Sequence, residues 1–226
     1  MKYGAPTIIA CPFCKFLMQH ETLLSQLYYG PMEYWSDIMS CRPLLPDVYS
    51  EVVKCGGCKN FFLRDTALTP TNEEIEEVAG KCLGEFPENF YEKDFNIPEL
   101  PTLTPFDLNK VINSNLMSTK DQELSLRIEL LHKINDRFRR PRDYECLNKE
   151  IPRNLKNINK NNLLELEKFL DESIPEHLFM KADIKRYLGD FQESLKCLSN
   201  LPEGFTWKAE MENEIKKKNT KVFGIE

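Results

Sequence analysis

The four cysteines that form two C-x2-C motifs constrain the fold of this chain more than any other feature. The first motif joins Cys11 to Cys14, and the second joins Cys55 to Cys58. A C-x2-C turn brings two thiolates to one point, and two such turns supply the four sulfur ligands of a structural zinc site. The sequence therefore predicts one structural Zn²⁺ per chain, bound by these four cysteines.

The segment between the motifs is unusually long. Forty residues, 15 to 54, separate them, whereas compact zinc modules have roughly 15–20. We interpret the extra length as a β-hairpin or loop carried between the two turns. A strand over Val48–Lys54 should enter the second motif, and one over Phe61–Leu63 should leave it. We therefore predict a β-rich metal-binding module over residues 1–68 that resembles a zinc ribbon.

Two other chemistries use the same motif. The sequence Cys-Pro-Phe-Cys resembles a glutaredoxin active site, so a thiol oxidoreductase is one alternative. A single redox motif leaves the Cys55–Cys58 pair unexplained, and the residues after Cys14 lack the helix that a thioredoxin-like fold needs. Rubredoxin-like iron is the other alternative, because thiolate ligation alone does not separate iron from zinc.

Charge and hydropathy narrow the classes of function. The net charge is −6, which argues against a general nucleic-acid binder. Residues 1–70 carry six basic and six acidic side chains, so the metal-binding module has no surplus of cations for phosphates. No signal peptide and no apolar run of about 18 residues are present. We expect a cytoplasmic protein that does not enter a membrane.

The sequence offers no catalytic residues. It has no phosphate-binding glycine loop and no nucleophile elbow. A zinc ion with four protein ligands has no open position for water. We therefore predict that the protein is not an enzyme.

A connecting segment over residues 69–103 follows the metal-binding module. A short helix should begin after Thr71 and end at about Ala79, because cap residues and early acids precede it. The remainder contains Pro87, Pro98 and Pro101 and is acidic. We predict a short helix followed by a proline-rich, acidic linker.

The residues from 104 to 226 have the pattern of an all-α domain. Thr104 followed by Pro105 is a capped helix start. A longer helix should begin near Thr119 and end before Pro141. Its apolar stripe consists of Leu124, Ile128, Leu131, Ile134 and Phe138. The fold class predicted for the whole chain is therefore α+β.

One stretch of this domain resembles a tetratricopeptide repeat. Between Lys181 and Leu195, the small residues Ala182 and Ser194 lie where that family needs close approach of two helices. Gly189 matches the turn glycine of the family. Ser194 replaces the usual alanine, and Pro202 arrives early.

The resemblance implies a helical-repeat domain that binds another protein. Tyr187 and Phe191 are the candidate protein-binding residues. The two halves together resemble uncharacterised bacterial proteins that join a two-knuckle zinc ribbon to tetratricopeptide-like helices. Our first hypothesis is a non-enzymatic, zinc-binding scaffold protein.

A basic segment supports a second hypothesis. Residues 132–161 contain nine basic and four acidic side chains. The candidate anion-binding residues are Arg137, Arg139, Arg140 and Arg142. A solvated helix face is the simpler interpretation of these charges. A zinc-ribbon adaptor that uses this segment to bind nucleic acid is the alternative.

Overall fold

The computed structural model describes residues 2–3, 6–20, 23–25, 33–41, 50–79, 97–139 and 153–225. The predicted site residues Arg140 and Arg142, and residues 80–96 of the predicted linker, lie outside these ranges. The described residues form short antiparallel strands in the N-terminal part, followed by helices. The prediction of an α+β fold with an N-terminal β part is confirmed.

The chain divides into two compact units. The first, the cysteine unit, comprises Met1–Gly30 and Val48–Leu103, and the second, the helical unit, comprises Pro31–Asp47 and Thr104–Glu226. The chain therefore passes between the units after residues 30, 47 and 103. The segment between the two cysteine motifs is consequently shared by both units.

Short strands carry the cysteine motifs. In chain order the described strands are β1 (Lys2–Tyr3), β2 (Thr7–Ala10), β3 (Leu17–His20), β4 (Leu23–Ser25), β5 (Glu33–Trp35), β6 (Ser40–Cys41), β7 (Val52–Lys54), β8 (Phe61–Leu63) and β9 (Gly224–Ile225). In the cysteine unit, β2 pairs antiparallel with β3, β7 with β8, and β1 with β4. The two hairpins β2–β3 and β7–β8 each enclose one C-x2-C motif. The strands predicted around the second motif are confirmed for Val52–Lys54 and Phe61–Leu63.

Two small apolar clusters hold the cysteine unit together. Met18, Val53 and Phe62 pack with Cys11 and Cys55 in the first cluster. The second contains Ala10, Leu17, Ile75 and Ile97. The predicted short helix is confirmed as α1 (Asn72–Ala79) and supplies Ile75 to this cluster.

The last residues of the predicted linker belong to the core of the cysteine unit. Ile97 is 2% exposed. The Gln19 N–H donates to the Pro98 carbonyl at 3.0 Å, and the Leu100 N–H donates to the Gln19 carbonyl at 2.9 Å. The segment 97–100 is therefore fixed along the edge of β3.

Helices form most of the helical unit. They are α2 (Pro105–Ile112), α3 (Lys120–Arg139), α4 (Arg153–Leu166), α5 (Pro175–Tyr187), α6 (Phe191–Ser199) and α7 (Lys208–Lys216). The predicted start of α2 is confirmed by its capping box. The Asp107 N–H donates to the Thr104 hydroxyl at 3.2 Å, and the Thr104 N–H donates to the Asp107 carboxylate at 3.1 Å.

Helices α5 and α6 form a tightly packed antiparallel pair. Gly189 between them has φ +82°, a conformation that glycine adopts without steric cost. The side chains of Ala182 and Ser194 are both 0% exposed. The Ser194 hydroxyl donates to the Ala182 carbonyl at 2.7 Å. Small residues at these two positions therefore allow the helices to approach closely.

The inter-motif segment forms a hairpin that is part of the helical unit. Strand β5 pairs antiparallel with β6 and, on its other edge, with β9. The interpretation of the extra length as a β-hairpin is confirmed for residues 33–41. Its packing against the C-terminal strand was not foreseen, because no local pattern relates Tyr34 to its register partner Ile225.

The turn of this hairpin inserts a carboxylate into a buried polar network. Asp37 is 0% exposed, and its Oδ2 accepts hydrogen bonds from Arg139 and, at 2.8 Å, from Asn135. Asn135 also donates to the Tyr187 hydroxyl at 2.9 Å. The His132 ring nitrogen Nε2 lies 3.0 Å from the Asp37 carbonyl oxygen. The hairpin is thereby bonded to α3 at consecutive turns of that helix.

A second buried cation joins the same hairpin to the C-terminal segment. Arg186 is 0% exposed and donates to the Lys221 carbonyl at 2.8 Å and to the Asp183 carboxylate at 2.6 Å. Its guanidinium also lies 3.4 Å from the Ser36 hydroxyl. The ring of Phe223 packs over it, with 4.9 Å between the guanidinium carbon and the ring centre. Arg186 therefore connects α5, the hairpin and residues 219–223.

We predict that Asp37→Ala destabilises the helical unit by about 3–5 kcal/mol, because it removes the buried carboxylate to which Arg139 and Asn135 both donate. Urea unfolding followed by circular dichroism at 222 nm measures this change. Glu165→Ala is the control, since it removes an ion pair with Lys168 at the surface and should have no measurable effect. Equal unfolding midpoints for the two variants would contradict the role of Asp37.

Candidate metal centre

The two cysteine motifs share one backbone geometry. The Lys15 N–H donates to the Cys11 carbonyl at 2.9 Å, and the Lys59 N–H donates to the Cys55 carbonyl at 3.1 Å. Both lysines have positive φ, 63° and 64°, a region that non-glycine residues enter only at a cost of about 1–3 kcal/mol. In each motif the residue after the second cysteine is a lysine in this strained conformation, and its N–H closes the turn.

These turns bring the four sulfurs together. The Sγ atoms of Cys11 and Cys58 are 3.8 Å apart, and those of Cys14 and Cys55 are 3.5 Å apart. All four Sγ atoms lie within 4.8 Å of one another. A tetrahedral site with metal–sulfur bonds of about 2.3 Å has sulfurs about 3.8 Å apart, whereas a disulfide holds them about 2.05 Å apart. The four cysteines can therefore bind one metal ion.

Each motif contributes one buried and one exposed thiol. Cys11 and Cys55 are buried, while Cys14 and Cys58 are exposed. Burial raises the pKa of Cys11, and it raises that of Cys55 to about 12. The Phe16 backbone N–H is the main cause that lowers the pKa of Cys14 to about 7. A metal cation supplies the positive charge that makes ionisation of the buried thiols favourable.

Backbone N–H groups also point at the buried sulfurs. The N–H groups of Gly57 and Cys58 donate to Cys55 Sγ at 3.3 and 3.4 Å. In the first motif, hydrogen bonds from the backbone N–H groups of Cys14 and Phe13 lower the pKa of Cys11 and so partly offset the effect of burial. Both motifs therefore stabilise negative charge on their buried cysteine, as a thiolate ligand requires.

The adjacent glycines of the second motif make room for an aromatic ring of the first. A Cβ atom on Gly57 would lie 2.9 Å from the Phe16 ring, and one on Gly56 would lie 3.0 Å from it. The Gly56 N–H donates to the Met18 sulfur at 3.3 Å. The two motifs therefore pack directly against each other. Sequence reasoning missed Phe16 and Met18, and the Gly-Gly pair was the signal that could have indicated a close neighbour.

The predicted protein-binding residues are mostly enclosed. Tyr187 is half-buried and accepts a hydrogen bond from Asn135. Phe191 is half-buried and packs against the core formed by α5, α6 and α7. Cys197 is buried in the same core.

The two described members of the predicted anion-binding set, Arg137 and Arg139, do not share one surface. The Arg139 side chain is 2% exposed and pairs with Asp37 and, at 2.9 Å, with Asp136. Arg137 is half-buried, and its guanidinium carbon lies 4.5 Å from the centre of the Phe138 ring. The positions 140 and 142 are outside the described residues. Arg139 is thus a structural cation, and Arg137 is the described arginine that is left for a ligand.

Comparisons with protein-family models, with curated proteins and with solved structures gave no match to this chain. The resemblance to a tetratricopeptide repeat therefore rests on residues 181–195 alone. In the described ranges, no helix is both long and apolar enough to cross a membrane.

We expect purified protein to contain about one zinc ion per chain by elemental analysis. Cys14→Ser and Cys55→Ser should lose the metal to the same extent and unfold the cysteine unit, because apparent zinc-binding free energies are roughly 10–16 kcal/mol and appear as folding energy. Cys197→Ala is the control and should keep the metal.

Two results would contradict this expectation. One is metal-free protein in which all four thiols of the motifs react freely. The other is turnover of disulfide substrates that requires Cys11 and Cys14 while Cys55 and Cys58 are dispensable, since that asymmetry belongs to an oxidoreductase.

We predict that Gly57→Ala weakens the metal centre, because the new methyl group overlaps the Phe16 ring and overpacking costs about 1–3 kcal/mol. The rate of zinc transfer to a coloured chelator should rise. Gly224→Ala is the control, since a Cβ atom there meets nothing within 4 Å. Phe16→Leu combined with Gly57→Ala should restore slow release, and no difference between the two glycine variants would contradict the packing argument.

Proposed function

We propose that this protein is a non-enzymatic scaffold in which a zinc-binding module accompanies a tetratricopeptide-like helical domain that binds another protein. The observation that carries the proposal is the set of four sulfurs within 4.8 Å of one another. Four thiolates complete the tetrahedral coordination of zinc and leave no position for a reacting water. Such a site stabilises a fold and gives no reason to expect catalysis.

The α5–α6 pair supports the helical-repeat part of the proposal. Its turn glycine, Gly189, and its contact residue Ala182 match the tetratricopeptide pattern, and Ser194 is a small residue where the pattern usually has alanine. Neighbouring helices extend this packing, since α6 contacts α7 and α5 shares an apolar cluster with α3 and α4. A helix pair needs such neighbours because it cannot bury its apolar face alone.

A partner would have to contact side chains that the fold leaves exposed. On α6 the side chain of Leu195 is 42% exposed, whereas Phe191 on the same helix packs inward. Tyr187 is held by Asn135 within the helical unit. We therefore propose Leu195, rather than the two residues predicted from the sequence, as the first contact to test.

The oxidoreductase alternative meets a physical difficulty. A C-x2-C redox site needs an accessible nucleophile with a lowered pKa and a resolving partner. In the first motif the expected nucleophile, Cys11, is buried and its pKa is raised by burial, while the exposed thiol is Cys14. This arrangement suits a metal ligand set better. A reducing cytoplasm, which keeps thiols available for zinc, is the location that we propose.

We predict that full-length, zinc-loaded protein captures a defined partner from native extract and that Leu195→Glu abolishes the capture, because a charge replaces an exposed apolar contact. Mass spectrometry of the captured proteins, followed by a titration with the purified partner, measures this. Ala209→Glu is the matched control, because it places the same charge at an exposed position of α7. Equal capture by wild type and both variants would remove Leu195 from the interface.

A further inference from the structure

A cavity of about 250 Å³ lies in the helical unit where α3, α4 and α5 meet. Three cationic side chains line it: Arg137 from α3, and Lys156 and Lys160 from α4. The two lysines are four residues apart, so they lie on one face of their helix. Asn159 and the apolar residue Leu163 also line the cavity.

These three cations have no carboxylate partner among the residues that the structure describes. Lys156 and Lys160 are exposed, whereas Arg137 is half-buried. Two other half-buried cations of the helical unit are paired: Arg127 with Glu123 at 2.6 Å, and Lys185 with Glu167 at 2.7 Å. Like charges held close together repel one another unless an anion is present. Within the described ranges, this cavity therefore has positive charge without a matching carboxylate.

The environment of Arg137 also indicates that an anion is missing from the cavity. Its Nε is buried without an acceptor within the described ranges. Burial also lowers the pKa of its guanidinium, which reports that the positive charge is poorly solvated there. A guanidinium that is partly desolvated and unpaired gains most from a bound oxyanion.

We propose that this cavity binds the phosphate group of a small phosphomonoester. The planar guanidinium of Arg137 suits two oxygens of a phosphate, and the ammonium groups of Lys156 and Lys160 act as point charges on the rest. A volume of about 250 Å³ is below the roughly 300–1,000 Å³ of sites for drug-sized ligands, so the ester is small. The side chains of Leu163 and Leu188 give its carbon part an apolar wall.

The grouping of the three cations around one small, half-open cavity favours a terminal phosphate over a nucleic-acid strand. Each internal phosphodiester carries one charge, and proteins follow a strand with cations along an open groove. Here the three cations converge on one small volume, which matches a single dianionic group. Binding of an RNA strand is therefore an outcome that the experiment must separate from binding of a phosphomonoester.

Calorimetric titration of the full-length, zinc-loaded protein with inorganic phosphate and with glycerol phosphate, at constant ionic strength, tests the proposal. We expect one saturable site per chain, with the ester bound more tightly. Lys156→Met and Lys160→Met should each weaken binding about tenfold, the usual scale of one charge-assisted contact. Lys160→Arg should retain binding, because the charge remains.

Lys216→Met is the matched control, because it removes an exposed positive charge from α7 and should leave the affinity unchanged. The methyl NMR signals of Leu163 and Leu188 should shift on addition of glycerol phosphate, which locates the ligand. Zinc content and circular dichroism show that each variant is folded.

Three results would overturn the proposal. The first is no saturable binding of either probe, and the second is equal weakening by Lys216→Met and Lys160→Met. The third is that the wild-type protein binds glycerol phosphate no more tightly than inorganic phosphate. A twenty-nucleotide RNA that displaces glycerol phosphate with a steep salt dependence would also overturn it, in favour of a nucleic-acid site. The proposed scaffold function is tested at Leu195 on α6, so either proposal can fail without the other.

Discussion

The cysteine unit depends on bringing four cysteine sulfurs within 4.8 Å of one another. The apolar cluster beside the motifs is small, and two of its five buried members are the cysteines Cys11 and Cys55 themselves. So small a core does little to offset the conformational entropy lost when short hairpins become ordered. A metal bound only by the folded form would supply the missing free energy. The strained turns at Lys15 and Lys59 and the close contact of Phe16 with Gly57 are tolerated because they bring the ligands together.

The course of the chain relates this metal centre to the helical unit. The metal would join two motifs that are separated by 40 residues, 15 to 54, and closing a flexible loop of that length costs entropy. Residues 33–41 are not free within that loop, because β5 is paired with β9 and Asp37 is bonded to α3. Folding of the helical unit therefore divides one long loop into two shorter ones. The ordering of residues 33–41 in the helical unit would therefore reduce the entropy cost of assembling the metal centre.

Local signals in the sequence were sufficient for much of this architecture. The two cysteine turns could be predicted because a C-x2-C turn depends on neighbouring residues only. The starts of α2 and α6 could be predicted because capping by Thr104 and Asp190 is local. The buried polar network could not be predicted in this way. The contact of Asp37 with Arg139 spans 102 residues, and the sequence around Asp37 indicates only a turn. Likewise nothing near Arg186 indicates that its partners include the carbonyl of Lys221.

The same contrast between local signals and long-range contacts applies to the basic segment, residues 132–161. The sequence assigns a surplus of positive charge to residues 132–161 but not the direction of each side chain. In an α-helix, residues two positions apart in the sequence are separated by a rotation of about 200° around the helix axis. Arg137 and Arg139 therefore point to nearly opposite sides of α3. Arg139 thereby reaches the carboxylate of Asp37, which the inter-motif hairpin places in the core. Arg137 turns towards α4, where it meets Lys156 and Lys160 instead of an acid. A partly buried cation needs a counter-charge wherever it lies, and for Arg139 the chain supplies one from a distant segment. The described part of the chain supplies none for Arg137, and that difference makes its cavity the place where a ligand, rather than the fold, would complete the electrostatics.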